Sequence, residues 1–182
     1  MPETAPTRPA SDVAAIIQVG DPLLTRAALK VTRFDEGLKS LALTLLATME
    51  QACGVGIAAP QIAESLALCI VASRPNIRYP DAPAMEPMVM ANPEILARSN
   101  EMHWGEEGCL SVPERRQQIR RHLWVDARWQ DLDGNWQQQR LSGFIARVFQ
   151  HELDHLHGIT LLERCTMADQ RDATIQQEDG LQ

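Results

Sequence analysis

The chain is predicted to adopt an α+β fold, with mixed and antiparallel strands packed around a central helix. Three observations carry this. Helical periodicity is confined to one segment near each end, and strand-length runs are grouped between them. An Asp-Gly pair also interrupts a long alternating segment, which is a hairpin signal.

Taken in order, residues 1–12 (MPETAPTRPASD) are rich in Pro, Thr and Ala and lack the apolar stretch of a secretory signal, so they read as a disordered leader. A short apolar run over 13–19 is stopped by Gly20-Asp21-Pro22. Residues 35–53 are expected to form a helix. Leu38, Leu41, Leu45 and Met49 recur at three- and four-residue steps, Asp35 reads as a cap or a first-turn acid, and Gly54 marks the stop. Residues 66–72 (LALCIVA) form an apolar run of strand length. Four prolines over 74–87 predict a surface loop, and the short apolar stretch 88–91 is expected to end at Asn92-Pro93. Residues 119–141 alternate, placing Leu123, Val125 and Ala127 on one face, with Asp133-Gly134 at the turn between Trp129 and Trp136. Residues 143–157 return to helical period, with Phe144, Val148 and Leu156 as core contacts. One domain over 13–168 followed by a short acidic tail at 169–182 is the expected organisation.

A chain of 182 residues with 45% apolar and 23% charged content has the make-up of an ordinary globular protein. No run approaches the roughly 18 apolar residues of a membrane span. A net charge of −7 argues against direct nucleic-acid binding, which needs a basic footprint. Cys53, Cys69, Cys109 and Cys165 are scattered, and without a signal sequence they read as reduced thiols of a cytoplasmic protein. Apart from Cys109, they are expected to be small buried hydrophobes.

The chemistry is concentrated in Gln150-His151-Glu152-Leu153-Asp154-His155-Leu156. On a helix, His151 and His155 share a face and can grip one metal ion, with Glu152 placed to move protons at an adjacent water. A catalytic ion of this kind takes three protein ligands and leaves a position open. Cys109, in Glu107-Gly108-Cys109-Leu110-Ser111 ahead of an expected turn at Pro113, is the candidate third ligand, and a Cys–His–His set suits Fe(II), Zn, Co or Ni. The segment Gly54-Val55-Gly56-Ile57-Ala58-Ala59-Pro60-Gln61 adds a backbone that a ligand can approach closely, and in Gln61 an amide donor for a developing oxyanion.

Together these segments resemble the peptide deformylase family, whose G-x-G-x-A-A-x-Q, E-G-C-x-S and H-E-x-D-H motifs occur here intact and in order. The resemblance implies that Cys109, His151 and His155 hold the metal, Fe(II) in the cell, with Zn, Ni or Co possible in purified protein. Glu152 would take a proton from the attacking water and pass it to the departing amine. Gln61 and the N–H of Leu110 would stabilise the oxyanion. The substrate implied is an N-formylmethionyl nascent peptide bound as an extended strand near Gly54, Gly56 and Gly108. Its methionine would enter a pocket lined by Val55, Phe144, Val148 and the stem of Arg147, with Arg116 near the bound peptide. Arg147 stands where several relatives carry an aliphatic residue. Some relatives also have a basic C-terminal helix that docks on the ribosome; the short acidic tail here argues against that contact.

Two other readings stay open at this stage. A zinc endopeptidase also uses His-Glu-x-x-His, but it predicts a further His or Glu ligand downstream, and no histidine follows His157. A non-catalytic binding module would need a lost ligand, acid or donor. Among the remaining residues, His157 turns away from the metal face, His103 and His122 read as surface or strand-edge residues, and the four tryptophans as sheet packing. Arg115-Arg116 and Arg120-Arg121 form a basic edge that reads as either a solvated strand face or a contact for the peptide, and Asp154 as either a partner that orients a ligand or a plain surface acid.

Overall fold

Asp35 begins the first helix, α1 (Glu36–Gln51), by accepting a hydrogen bond from the Leu38 N–H at 3.2 Å. The helix ends two residues before the expected position. Cys53, not Gly54, takes the left-handed conformation (φ 53°), and the Gly54 N–H closes on the Met49 carbonyl at 2.9 Å. These coordinates are a computed structural model and describe residues 12–167. The acidic tail and, apart from Asp12, the expected leader lie outside the described residues.

Seven strands follow: β1 (Gly56–Ala58), β2 (Leu68–Val71), β3 (Met88–Arg98), β4 (Met102–Cys109), β5 (Val112–His122), β6 (Trp124–Gln130) and β7 (Trp136–Ser142). The second helix, α2 (Gly143–Leu156), comes next. All strand pairings are antiparallel, in a five-stranded sheet of order β1-β2-β3-β6-β7 and a separate β4-β5 hairpin.

The large sheet lies between the two helices. Leu68 and Ile70 face α1 with Leu38, Leu45 and Met49, while Cys69 and Val71 face α2 with Val148, Phe149 and Leu153. A strand covered on both faces has no polar side, which is why residues 66–72 read as an unbroken apolar run.

Three expectations need correction. The 88–91 stretch does not stop at Asn92-Pro93; β3 continues to Arg98 through a register shift between Ala91 and Glu94. Asn92 adopts φ 50°, and its amide exchanges hydrogen bonds with the Val31 backbone at 2.8 and 2.9 Å. A bulge of this kind tolerates a proline inside a strand. The alternation over 119–141 is not one hairpin, because the chain changes sheets at Leu123: Ile119 packs with Cys109 and Val112, whereas Val125 and Ala127 join the large sheet. Nor is Pro113 a turn residue, since it lies in β5.

The Asp-Gly turn joins β6 to β7 as expected. Gly134 has φ 86°, and Asp131 Oδ1 accepts from the N–H groups of Asp133 and Asn135. Trp129 is buried there, but Trp136 is exposed beneath the Arg128 guanidinium at 3.8 Å. All four cysteines are free; Cys69 is buried, Cys165 half-buried and Cys53 exposed, so burial does not describe them as a group. Among the described residues, no helix is long and apolar enough to cross a membrane.

Phe149 is fully enclosed between α2 and the sheet. Phe149→Ala is expected to cost about 3–5 kcal/mol of unfolding free energy. Urea denaturation checks this, and a loss below about 1 kcal/mol would contradict the packing described.

Candidate active site

The large sheet supports α2 from below while the β4-β5 hairpin closes over it, and the functional side chains meet at that junction. His151 and His155 project from α2 one turn apart, their rings 5.0 Å between centroids and inclined at 68°. Cys109, the last residue of β4, comes from the other sheet and brings its Sγ to 3.3 Å from His155 Nε2. One ligand atom from each of Cys109, His151 and His155 lies within 4.8 Å of the others, so the three can hold a metal ion.

The donor chemistry fits such an ion. His151 donates from Nδ1 to Glu107 Oε1 at 3.0 Å, which leaves its Nε2 lone pair free. His155 Nδ1 and Glu152 Oε2 are buried without a hydrogen-bond partner among the described residues. Two imidazoles and a thiol with an unpartnered carboxylate oxygen beside them match a site for an ion of intermediate softness and a water.

The electrostatics point the same way. Burial alone would raise the Cys109 thiol, but the neighbouring His155 and His151 imidazoles overcome it and hold the thiol well below its ordinary value. Burial would likewise lower His151, yet the Cys109 sulfur and the Glu107 carboxylate keep it well above. The thiol and the imidazole each favour their charged form here, and a cation bound between them would take the place of the shared proton. Burial pushes Glu152 up to about 7 against the opposing pull of His151 and His155. Glu107 is also buried, but the Arg121 guanidinium keeps its carboxyl well below the usual range.

The remaining expected residues, apart from Arg116, surround a cleft lined by Gly54, Val55, Gly56, Gln61, Gly108, Leu110, Phe144, Arg147 and Val148 as well as Cys109, His151 and Glu152. Gly56 has a strict steric reason: a Cβ there would lie 2.8 Å from Val148 Cγ1 and would also strike the Glu152 carboxylate. The Gln61 amide is held in one orientation. Its Oε1 accepts from the Ala58 N–H at 2.9 Å, so Nε2 faces Ser111 Oγ at 3.1 Å and Cys109 Sγ at 3.7 Å. The extended N-terminal segment is tied beside it, through bonds from the Ile17 N–H to Gln61 O and from the Val19 N–H to Ser111 O.

Arg147 lines the cleft, and its guanidinium is engaged by Glu107 and by the carbonyls of Ile119 and His103, each at 2.8 Å. Arg116 does not line the cleft. It stacks on Tyr79 at 4.8 Å and donates to the Arg78 carbonyl at 2.8 Å. His157 is exposed, as is His103.

Three residues escaped the sequence reading. Tyr79 packs on Phe144 at 5.4 Å and accepts from the Gly108 N–H at 3.3 Å, but a lone tyrosine in a proline-rich loop carries no local signal. Glu107 had one: two residues before Cys109 on a strand, it shares the ligand's face. Arg121 corrects an expectation, because it is only 4% exposed rather than solvated. It clamps both Glu107 oxygens, at 2.9 and 3.0 Å, and reaches Asp154. Asp154 is therefore a buried ion-pair partner and not a surface acid. Arg115, Arg116 and Arg120 do face solvent.

A family model described as "Polypeptide deformylase" matches residues 13–171. Among curated proteins, the chain is 55% identical over 156 residues to peptide deformylase 2 of Shewanella oneidensis, covering 86% of each. It is 48% identical over 154 residues to peptide deformylase 2 of Nostoc sp., covering 84% of this chain and 86% of the relative. Among solved structures, a class I type b peptide deformylase from Acinetobacter baumannii bound to Met-Ala-Ser superposes with a TM-score of 0.82 at 47% identity, covering 85% of this chain and 99% of that one.

In the metal-free chain Glu152 should titrate near 7, against an ordinary 4.5. Because the folded value is the higher, its contribution to stability is full below 4.5 and is lost as the pH rises through 7. Carbon-13 NMR of labelled glutamate carboxyls checks this; a Glu152 resonance already ionised at pH 5 (about two units below the expected midpoint) would contradict it.

Proposed function

This chain belongs to the peptide deformylase family, and we propose that it does the family's chemistry with Cys109, His151 and His155 as metal ligands and Glu152 as general acid and base. It is a metal-dependent hydrolase that removes the formyl group from the initiator methionine of nascent peptides, releasing formate. The observation that carries the residue assignment is the convergence, within 4.8 Å, of a thiol from β4 and two imidazoles from α2. We take residues 13–168 as the catalytic unit.

An ion bound there supplies Lewis acidity, making nearby water more acidic and polarising the formyl carbonyl. Glu152, whose buried carboxyl is pushed up to about 7, is poised to accept a proton from the attacking water and return it to the departing amine. Gln61 Nε2, fixed by the Ala58 N–H bond on its other end, is the side-chain donor for the oxyanion, and the Leu110 N–H is the backbone donor. The peptide lies extended along Gly54, Gly56 and Gly108, with its methionine against Val55, Phe144, Val148 and the stem of Arg147. Arg116 acts from the rim through its stack on Tyr79.

A thiolate with two imidazoles supports Fe(II) as the ion in the cell, with Zn, Ni or Co able to replace it in purified protein. The cytoplasm, where nascent chains emerge, is the proposed location. The acidic residues Asp172, Glu178 and Asp179 near the C-terminus support a reading without ribosome docking through the tail.

Glu152→Gln should retain metal and lose turnover by about 10²–10⁴-fold, measured as formate released from a formyl-Met-Ala peptide. Near-parental turnover would remove Glu152 from the proposed role. Cys109→Ser should stay folded but bind metal more weakly and with altered selectivity, because a serine hydroxyl is harder and far less acidic than a thiol. Metal analysis after anaerobic purification reads this out, and iron content equal to the parent would count against the thiolate ligand.

A further inference from the structure

We propose that Arg164 is a positioning residue for the metal centre, acting on His151 through Asp154, Arg121 and Glu107. The inference rests on the ligand assignment made above and extends it to a residue that does not line the cleft. Arg164 lies in the helical stretch 161–167 that follows α2. Its guanidinium holds both oxygens of Asp154, with Nε at 2.9 Å from Oδ2 and Nη2 on Oδ1. Asp154 Oδ2 also accepts from Arg121 Nη1 at 2.5 Å. On its other edge Arg121 grips Glu107, whose Oε1 accepts from His151 Nδ1 at 3.0 Å. An unbroken series of charge-assisted bonds therefore runs from the 161–167 stretch to a metal-ligating ring.

The central members have almost no contact with water. Side-chain exposure is 5% for Arg121 and Glu107 and 11% for Asp154. Burial matters because solvent cannot replace a lost partner. A fork gripping both oxygens fixes the plane of the Asp154 carboxylate. Without Arg164 that carboxylate keeps one cationic partner and can rotate. Arg121 then has no fixed second anchor, and the freedom passes to Glu107 and to the ring it orients. Arg164 is not the only group that seats this stretch on the fold: Leu161 is 2% exposed and belongs to the apolar cluster of Cys109, Val112 and Ile119.

The test uses the full chain loaded with Co(II), whose ligand-field and thiolate charge-transfer bands report its coordination, and follows release of the ion to a chelator. Arg164→Met is expected to release Co(II) about tenfold faster, to shift the ligand-field bands, and to lower kcat with KM unchanged. Arg164→Lys should release at an intermediate rate, because one ammonium restores charge but not the two-oxygen grip. Arg140→Met, which removes an exposed pair with Asp126, is the control and should match the parent. If Arg164→Met loses thermal stability yet keeps the parental release rate and spectrum, the proposal is overturned. Should that variant not fold, Arg164→Lys decides: faster release than the parent supports the proposal and parental release overturns it. A parent that binds Co(II) without a thiolate band would instead overturn the ligand assignment, so the two failures are distinguishable.

Discussion

Charge buried out of water must be paired, protonated or matched by a cation, and this constraint organises the junction between α2 and the β4-β5 hairpin. Glu107, Cys109, Arg121, His151, Glu152, Asp154 and His155 are all buried there. Each isolated ion would cost several kcal/mol in such surroundings, so every one needs a partner at hydrogen-bond distance. Glu107 meets Arg121, Arg147 and His151, while Asp154 meets Arg121 and Arg164. Cys109 and the two imidazoles meet one another, in an arrangement whose proton a metal can displace. Two atoms among the described residues are exceptions, His155 Nδ1 and one oxygen of Glu152, and burial raises the proton affinity of the Glu152 carboxyl. That carboxyl is the group assigned to move protons.

Such a site needs a support that does not relax around it. The apolar layers on the two faces of the large sheet provide it. Ala146, Phe149 and Leu153 key α2 into the sheet, so the helix cannot rotate to relieve the buried charges on its other side. Leu45, Met49 and Ile57 hold the opposite face against α1. Close packing of this kind transmits position, and a ligating ring is set by a helix that has little room to shift.

The cleft combines a fixed backbone with an apolar wall. Gly56 lets the chain run against Val148 and Glu152, and the Tyr79–Phe144 contact brings the 74–87 loop to the rim. Arg147 serves both parts. It lines the cleft, and its guanidinium is paired with Glu107, so the charge beside the apolar wall is neutralised. The proposed methionine pocket is thus built partly from a residue whose charged end is engaged elsewhere.

Much of this was legible in the residue order because it depends on local spacing. His151 and His155 at i and i+4, the Asp35 cap, the Asp-Gly turn and the two-sided apolar run of β2 each follow from a period of the backbone, which any reader of the chain can count. The change of sheet at Leu123, the bulge at Asn92 and the burial of Arg121 follow no such period. Asn92 bends β3 because Val31, sixty-one residues away, offers its backbone there, and Arg121 is buried because Glu107 and Asp154 arrive from another strand and a helix. Residue order alone therefore determined the helix that carries His151 and His155 and the candidate set of side chains proposed to carry the chemistry. Tertiary structure decided which charges are buried together and in what protonation, because the partners that set a buried group's energy are contributed by distant segments of the chain.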